Sequence, residues 1–305
     1  DSASHEVERL FEYVSPPEVC PEHPSVVFKA GSLDAEHLYL CTQTELLVYC
    51  RDDLSVETYL SLPIFNDLHH VMPSGKGTFL VAVTGLDMVV EIAPDGAVLH
   101  EWNVLGQDPW QRFSRDVDYR KVQSTKPRQA HPNFVFTIGE DVWTTRCDLN
   151  DAVCLTTPEK RIDLIGNREN PVQFVHDGIA ANGKIYFTSV DGHILIADPG
   201  SLQVTDVVNI GEIQNYDMPL GWCRGIKILD EDRVIVGFSR LRSTKLKDKV
   251  SWAKAQVKKA IGVGDYEQSL PLLPTRICCL DLKARRMEWE LDLESYGMNA
   301  VFSVL

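Results

Sequence analysis

The chain lacks any long apolar segment. None of its apolar runs approaches the roughly 20 residues that a membrane-spanning helix needs, so the sequence predicts no membrane span. Positive charge is scarce as well, since 30 lysines and arginines face 44 acidic residues and leave a formal net charge of −14. Protein affinity for duplexes comes mostly from neutralising phosphates, so this balance argues against general nucleic-acid binding.

Cysteine motifs, a targeting leader and the common catalytic signatures are also missing. The eight cysteines form neither a CxxC pair nor a dense framework, and we expect free thiols packed as small hydrophobic groups in a reducing compartment. These thiols lead us to expect a cytoplasmic protein. No charged and then apolar segment stands at the start of the sequence, and whether a leader was removed before Asp1 stays open. The sequence has no Gly-rich phosphate loop, no G-x-S-x-G elbow and no H-E-x-x-H helix, and therefore no signature of a P-loop NTPase, an α/β-hydrolase or a zincin.

What the sequence does contain is a recurring polar residue just before short apolar runs. HPSVVF at 23–28 matches HPNFVF at 131–136, and HDGI at 176–179 matches CRGI at 223–226. The full set comprises His23, His69 or His70, His131, His176, Cys223 and Asn299. A recurrence at roughly 45 residues is typical of a repeat architecture, and equivalent positions of a closed repeat point at one common axis.

Each repeat holds four short β-type runs. In the second repeat they span 68–72, 79–84, 88–92 and 97–104, with a Gly and Asp turn between the middle pair. The pattern predicts an all-β protein, a β-propeller of five to six four-stranded blades that forms a single domain over 1–305. A β-sandwich explains the strands but not the recurring polar position, and a β-helix needs much shorter repeats.

The number of blades depends on one segment near the end of the sequence. Five repeats are complete, and residues 299–304 resemble a sixth inner strand with no partners after it. This segment would close the ring with help from the apolar run at 7–14. Five or six blades therefore remain open at this stage.

Two insertions interrupt the regular spacing, at 105–130 and 239–274. Both leave the propeller on the face where the innermost strands begin, so the insertions and the recurring polar residues are expected to share one functional face. The second insertion includes a predicted helix at 251–261 and a strongly basic stretch over 240–259. Such charge would steer an anionic ligand to the axial mouth, and a solvated amphipathic helix accounts for the lysines equally simply. The first insertion carries the basic residues Arg112, Arg115, Arg120, Lys121, Lys126 and Arg128.

Histidines from three consecutive blades form the candidate metal site. His69 or His70, His131 and His176 stand at the start of inner strands. Imidazoles that converge on one axis are good ligands for a divalent metal such as Zn, Fe or Mn, and Asn299 is a candidate fourth ligand. Because side chains alternate along a strand, only one of His69 and His70 is expected to reach the axis. A simpler interpretation, in which the histidines only satisfy backbone groups in a water-filled channel, stays open.

Neighbours of these positions are candidate catalytic groups. Asp177 would bind the metal, act as an acid–base group or orient an imidazole. Cys223 is a candidate nucleophile that His176 would activate. Arg224 replaces the aspartate of the neighbouring motif, so we expect it at the channel mouth.

Arginines form a second constellation, because their planar forks suit carboxylate, phosphate or sulfate groups. The candidate substrate-binding residues are Arg146, Arg240 and Arg242, which follow second strands, together with the aromatic residues Tyr119 and Trp222. Structural ion pairs would explain some of these arginines without a ligand.

The arrangement of the histidines resembles that of propeller metallo-lyases such as peptidyl-amidoglycolate lyase and oligogalacturonate lyase. In those families imidazoles from inner strands hold a divalent metal at the axis, and the resemblance here covers His69, His131 and His176 without continuous sequence. Separately, GWCRGI at 221–226 followed by VGFSRLR at 236–242 resembles a signature of an uncharacterised bacterial β-propeller family. That second resemblance implies no known activity.

These features predict a metal-dependent enzyme, a lyase or hydrolase that acts on a small anionic substrate at the axial channel mouth. Two alternatives stay open. One is a non-catalytic propeller that binds a protein or an anionic polymer through its basic loops. The other is an Fe-dependent oxygenase that uses the same histidines, as carotenoid-cleaving propellers use four.

Overall fold

Five four-stranded antiparallel sheets follow one another along the chain in a computed structural model, which describes residues 6–20, 28–165, 173–214, 216, 218–241 and 272–305. Each sheet is one blade, and its strands pair in chain order from the axis outwards. The predicted all-β propeller is therefore confirmed, and the described residues form five blades.

The strands have the following bounds. Blade 1 contains β1 (Ser32–Leu33), β2 (His37–Cys41), β3 (Leu46–Cys50) and β4 (Val56–Leu60). Blade 2 contains β5 (Leu68–Pro73), β6 (Phe79–Val83), β7 (Met88–Ile92) and β8 (Val98–Asn103). Blade 3 contains β9 (Pro132–Ile138), β10 (Asp141–Arg146), β11 (Asp151–Cys154) and β12 (Arg161–Asp163). Blade 4 contains β13 (Val175–Ala181), β14 (Lys184–Ser189), β15 (His193–Asp198) and β16 (Gln203–Asn209). Blade 5 contains β17 (Trp222–Ile228), β18 (Arg233–Ser239), β19 (Arg276–Asp281) and β20 (Arg286–Asp292).

Within the described residues, helical structure is confined to short segments. One α-helix, α1, spans Ile210–Gln214, and 3-10 turns span Pro17–Val19, Thr84–Leu86, Tyr119–Lys121 and Glu294–Tyr296. Over the described part of the chain, no helix has the length and apolarity that crossing a membrane requires.

The burial of each strand reflects its place in the blade. All five residues of β6 are buried, because a middle strand is covered on both faces by neighbouring blades. In the outer strand β8, by contrast, the first three residues are exposed. Asn182 and Gly183, with φ of 51° and 70°, form the tight turn between β13 and β14 that left-handed residues favour in hairpins.

Apolar side chains fill the spaces between successive blades. Leu46 of blade 1 packs with Leu68 and Met88 of blade 2, and three similar clusters join blades 2 and 3, blades 3 and 4, and blades 4 and 5. Because neighbouring blades pack face to face, both faces of a strand are buried, and the strands appear in the sequence as short continuous apolar runs.

The junction between blades 5 and 1 is built differently. Residues 299–305 are not a strand, so the predicted sixth inner strand is wrong, yet this segment does link the two blades. The backbone N–H of Val301 donates to Ser239 Oγ of blade 5 at 2.9 Å, and Ser303 Oγ donates to the carbonyl of Gly31 at 3.3 Å. Gly225 lies so close to Ser303 that an added Cβ would meet its carbonyl carbon at 3.0 Å.

The predicted contribution of residues 7–14 to this region is visible on blade 1. The rings of Phe11 and Tyr13 pack against Phe28, with centroids 5.7 and 5.5 Å apart. Tyr13 also donates from its hydroxyl to Glu45 Oε1 at 2.6 Å.

The first insertion, 105–130, lies packed against blades 1 and 2. Asn66 Nδ2 donates to the carbonyls of Tyr119 and Val122, each at 2.8 Å. Its arginines are mostly matched by carboxylates, in the pairs Arg112–Asp87, Arg115–Glu101, Arg120–Asp118 and Arg128–Asp67. The predicted positive patch is therefore largely neutralised here. The predicted helix at 251–261 lies outside the described residues, as does most of the basic stretch.

Candidate axial site

Histidines from blades 2, 3 and 4 meet at the axis. The ring centroid of His69 lies 5.2 Å from that of His131 and 6.4 Å from that of His176. Rings from non-adjacent blades come this close only where the inner strands converge. The sequence-predicted grouping of these three side chains is thus present in the structure.

Bulges in the inner strands aim these side chains. The pairing register shifts between Leu68 and His70 in blade 2, and similar shifts occur at 175–178 in blade 4 and 223–226 in blade 5. A bulge breaks the alternation of side chains and re-aims the extra residue. Consequently both His69 and His70 approach the axis, where simple alternation predicts only one of them.

We define the axial mouth as the group Lys29, Asp67, His69, Arg128, His131, His176 and Arg224. Three of these side chains are cationic, and Asp67 is the carboxylate that faces two of them. Lys29 Nζ lies 3.9 Å from Asp67 Oδ1, and Arg128 Nη2 contacts Asp67 Oδ2. The mouth therefore has more positive than negative charge around Asp67, although the whole protein is acidic.

Phe302 connects the remaining cation to this group. Arg224 lies over the Phe302 ring at 4.3 Å from its centroid, and Lys29 Nζ lies 4.8 Å from the same centroid. Arg224 also lies 5.7 Å from the Trp222 ring, so Trp222, a predicted substrate-binding residue, lies next to the mouth. Cation–π contacts of this kind orient a guanidinium and keep it beside an apolar surface.

Burial changes the pKa values of the ionisable side chains in the axial mouth. Burial lowers the pKa of Lys29, with Arg224 and Arg128 acting in the same direction and Asp67 against it. Burial alone would raise the pKa of Asp67, but His69, Arg128 and Lys29 outweigh it, so the pKa of Asp67 falls well below its ordinary value. Lys29 and Arg128 therefore keep the Asp67 carboxylate ionised in spite of its surroundings.

His69 is neutral. Burial lowers the pKa of His69 to about 3, in spite of the opposing effect of Asp67. Its Nδ1 lies 2.6 Å from Asn133 Oδ1, and its Nε2 lies 3.4 Å from Asp67 Oδ1. A neutral imidazole has one proton to donate, and both Asn133 Oδ1 and the Asp67 carboxylate face it as acceptors.

His176 forms a buried pair with Asp177. Burial lowers the pKa of His176, against the effect of Asp177, while Arg224 and His131 lower it further. His176 Nδ1 lies 3.2 Å from Asp177 Oδ1, which can only accept, so the proton sits on Nδ1 and Nε2 is the basic nitrogen. Asp177 is itself fixed by the Thr188 hydroxyl and by the backbone N–H of Gly225, which donates at 2.8 Å.

His131 has an unusual backbone conformation. Its φ is 57°, a left-handed value that costs a non-glycine residue of order 1–3 kcal/mol unless its surroundings impose it. The buried carboxylate of Asp87 imposes it by accepting from three successive backbone N–H groups, those of Gln129, Ala130 and His131. His131 Nε2 is buried and has no hydrogen-bond partner among the residues that the structure describes.

The three imidazoles fit one shared metal only in part. A metal about 2.0–2.1 Å from each ring nitrogen places two ring centroids about 5 Å apart in a tetrahedral set. His69 and His131 match this spacing, whereas the 6.4 Å between His69 and His176 requires a nearly linear arrangement. Asn299, the fourth predicted ligand, is exposed and lies outside the strands.

Three other predicted site residues contact groups outside the axial mouth. Arg146 makes a two-point contact with Asp151, at 2.8 and 2.6 Å, and Arg240 pairs with Glu294 at 2.9 Å. Tyr119 is buried in the cluster between blades 1 and 2, where its hydroxyl accepts from the N–H of Ser114. Arg242 and His23 lie outside the described residues. The structure therefore does not bring Arg146, Arg240 or Tyr119 into the axial mouth.

The two remaining candidates, Cys223 and His70, are buried. Burial raises the pKa of the Cys223 thiol well above its ordinary value, so this side chain is a protonated thiol and not a thiolate. His70 Nδ1 accepts from the N–H of Val135, so its proton lies on Nε2, 3.2 Å from Ser32 Oγ. His70 is therefore no general base for that serine.

A cavity of about 320 Å³ follows the axis behind the mouth. Inner strands of all five blades line it, together with residues 303–305. His70 and Asp177 are among the polar residues that line it, and Asp177 also bonds to His176. The Asp177 carboxylate thus lies between the cavity and the histidines of the mouth.

Sequence reasoning missed Lys29, Asp67 and Asn133 as members of this region. Asp67 directly precedes β5, and Asn133 follows the recurring His131 by two positions. Arg128 appeared only as one basic residue of an insertion. No repeated position marks these residues, since Asp67 lies directly before β5 whereas Arg128 lies four residues before β9.

Comparison with known proteins places the fold but not the function. No family model matches the sequence, and no curated protein matches it. Among solved structures, the chain is similar to a protein of unknown function from Bacteroides caccae, with 13% identity, coverage of 88% of this chain and 83% of that chain, and a TM-score of 0.52.

Two lyase structures are also similar. The first is virginiamycin B lyase from Staphylococcus aureus, with 12% identity, coverage of 70% of this chain and 66% of that chain, and a TM-score of 0.46. The second is a streptogramin B lyase, with 10% identity, coverage of 87% and 82%, and a TM-score of 0.48. At such identities the likeness concerns the fold alone. The fold and the site together define a five-bladed β-propeller with a buried, charged axial mouth.

Proposed function

We propose that this propeller is an enzyme, a lyase or hydrolase that acts on a small anionic substrate at the axial mouth. The observation that carries the proposal is the buried His176–Asp177 pair, with three partly buried cations, Lys29, Arg128 and Arg224, in the same axial mouth. Perturbed titratable groups that converge in a cleft are typical of catalytic sites. The mouth holds three cations, Lys29, Arg128 and Arg224, and two of them share the carboxylate of Asp67.

Each group has a role in this scheme. Lys29, Arg128 and Arg224 bind the anionic group of the substrate, the arginines through paired N–H donors. His176 Nε2 takes a proton from the substrate or from water, while Asp177 keeps Nδ1 protonated and stabilises the imidazolium that forms. Because His176 is neutral before the reaction, it is ready to accept that proton at neutral pH.

The proposal includes a divalent metal, Zn, Fe or Mn, with His131 as one ligand. His131 is the imidazole whose backbone is fixed and whose Nε2 lacks a partner among the described residues. When bound, such an ion polarises a carbonyl or phosphoryl oxygen or lowers the pKa of a bound water. His69 is the second proposed ligand, because its ring centroid lies 5.2 Å from that of His131, whereas Nε2 of His176 is kept for the role of base.

The test is turnover by the full-length protein of a panel of small phosphate monoesters and hydroxy- or amino-carboxylates, followed by NMR. His176→Ala is expected to lower kcat by about 10²–10⁴-fold, because it removes the proposed base. His100→Ala, an exposed histidine on β8, is the matched control and should leave kcat unchanged. Equal values of kcat in the two variants would refute the assignment of His176 as the base. If the protein binds compounds of the panel but converts none of them, the proposed enzymatic activity is refuted.

A further inference from the structure

A second cluster of metal-binding side chains lies where blade 3 begins. The ligand atoms of His131, Cys147 and Asp148 all lie within 4.8 Å of one another. Among the described residues, no other three His, Cys, Asp or Glu side chains bring their ligand atoms so close. Only His131 of this set belongs to the axial mouth.

Backbone hydrogen bonds hold the two halves of the cluster together. The N–H of Cys147 donates to the carbonyl of His131 at 3.1 Å, and the N–H of Asp148 donates to the carbonyl of Ala130 at 3.2 Å. Asp87 fixes the backbone of residues 129–131 from the other side. The three ligands are therefore positioned by the fold before any ion binds, which reduces the ordering that binding would require.

The spacing suits a small tetrahedral ion. His131 Nδ1 lies 3.7 Å from Asp148 Oδ1. In tetrahedral zinc coordination, nitrogen and oxygen ligands at about 2.0 Å from the ion lie about 3.3 Å apart. The difference of a few tenths of an ångström is within the reach of a side-chain rotation at Asp148, whose side chain is 38% exposed.

The geometry points to a zinc site formed by His131 Nδ1, the Cys147 thiolate and the Asp148 carboxylate. One imidazole, one thiolate and one carboxylate form a donor set that zinc accepts, and three protein ligands leave a fourth position open. Cys147 is buried whereas Asp148 is partly exposed, so the open position faces the Asp148 side. This set is separate from the axial set of the proposed function, with which it shares only His131, and it rests on that function for what the metal does. Whether the metal binds does not depend on it.

The site makes a spectroscopic prediction for the full-length protein. After treatment with EDTA and dialysis, the protein should bind one equivalent of Zn²⁺, and Co²⁺ in its place should show a thiolate-to-cobalt charge-transfer band. Cys147→Ser should abolish the band and weaken zinc binding by more than about 100-fold, since losing a residue that merely orients a ligand already costs roughly 10- to 100-fold. Asp148→Asn should weaken binding while keeping the band.

Two controls make the outcome decisive. Cys154→Ser replaces another buried cysteine of blade 3 outside the cluster and should keep both the band and the stoichiometry. His100→Ala should also keep them, because His100 is exposed on β8 and belongs to neither set of proposed ligands. If Cys147→Ser fails to fold, Asp148→Asn carries the test at a partly exposed position.

Two results would overturn the assignment. One is a wild-type protein that takes up no zinc. The other is an ion that survives Cys147→Ser and Asp148→Asn but is lost in His69→Ala, which would place the metal among the axial imidazoles. A protein that shows the cobalt band but turns over no anion would contradict the proposed function and still support the zinc site.

Discussion

Replacing Asp87 by alanine is expected to lower the free energy of unfolding by about 3–5 kcal/mol, the range for removing one partner of a buried charged network. The Asp87 side chain is almost fully buried and accepts four hydrogen bonds. Three come from the backbone N–H groups of Gln129, Ala130 and His131, at 2.8, 3.1 and 2.9 Å, and one comes from Arg112 Nη1 at 2.8 Å. Alanine would leave these donors without their acceptor, and buried donors without partners are costly.

The measurement is equilibrium unfolding in urea, with Asp52→Ala as the control. Asp52 is exposed in the turn between β3 and β4, and its loss should change stability by no more than about 0.5 kcal/mol. A loss for Asp87→Ala no larger than that of the control would show that Asp87 does not hold the segment that carries His131.

Replacing Asp67 by alanine is expected to destabilise the protein by a similar amount, about 3–5 kcal/mol, and small anions should restore much of the loss. Without the carboxylate, Lys29 and Arg128 would face each other in a buried site with no opposite charge between them. Formate carries the missing carboxylate group and should bind in its place. Ligands that bind only the native state stabilise it in proportion to the logarithm of their concentration.

The measurement is the urea midpoint of Asp67→Ala with increasing sodium formate, compared with sodium chloride at equal ionic strength. Asp206→Ala is the control, because Asp206 pairs with Arg285 at 2.7 Å on the surface, where ion pairs contribute about 0–1 kcal/mol. Formate should raise the midpoint of Asp67→Ala more than that of the control. Equal responses of the two variants would contradict an anion-binding cavity between Lys29 and Arg128.

Much of the fold could be predicted from the sequence because a propeller repeats one unit. The recurring polar position marked the start of each inner strand, and the strands of blade 2 fall close to their predicted bounds. Ring closure was harder to predict. Residues 299–305 have strand-like composition, but they connect blades 5 and 1 through Ser239 and Gly31 and pair with no strand.

The sequence predicted only those residues of the candidate site that recur at the same position of the repeat. His69, His131 and His176 occupy equivalent positions, so the pattern brought them together correctly. Lys29 and Asp67 occupy no repeated position, and their partners come from other blades. Such long-range contacts leave no local pattern in a single sequence.

Local irregularity accounts for the other differences. The bulge at Leu68–His70 breaks the alternation on which the choice between His69 and His70 depended. Arg146 is a residue type expected to bind an anionic ligand. Its guanidinium instead donates two hydrogen bonds to Asp151, five residues later. Whether an arginine binds a ligand or a neighbouring carboxylate depends on the pairing of strands, here β10 with β11.

The central claim is that the axial mouth binds small anions. Isothermal titration of the full-length protein with inorganic phosphate at low ionic strength tests it most directly, because screening is then weak. The account predicts saturable binding of one phosphate per chain, weakened about tenfold or more by Arg224→Met and unchanged by Arg285→Met, which alters an exposed arginine. Absence of binding to the wild-type protein, or equal binding by both variants, would contradict it.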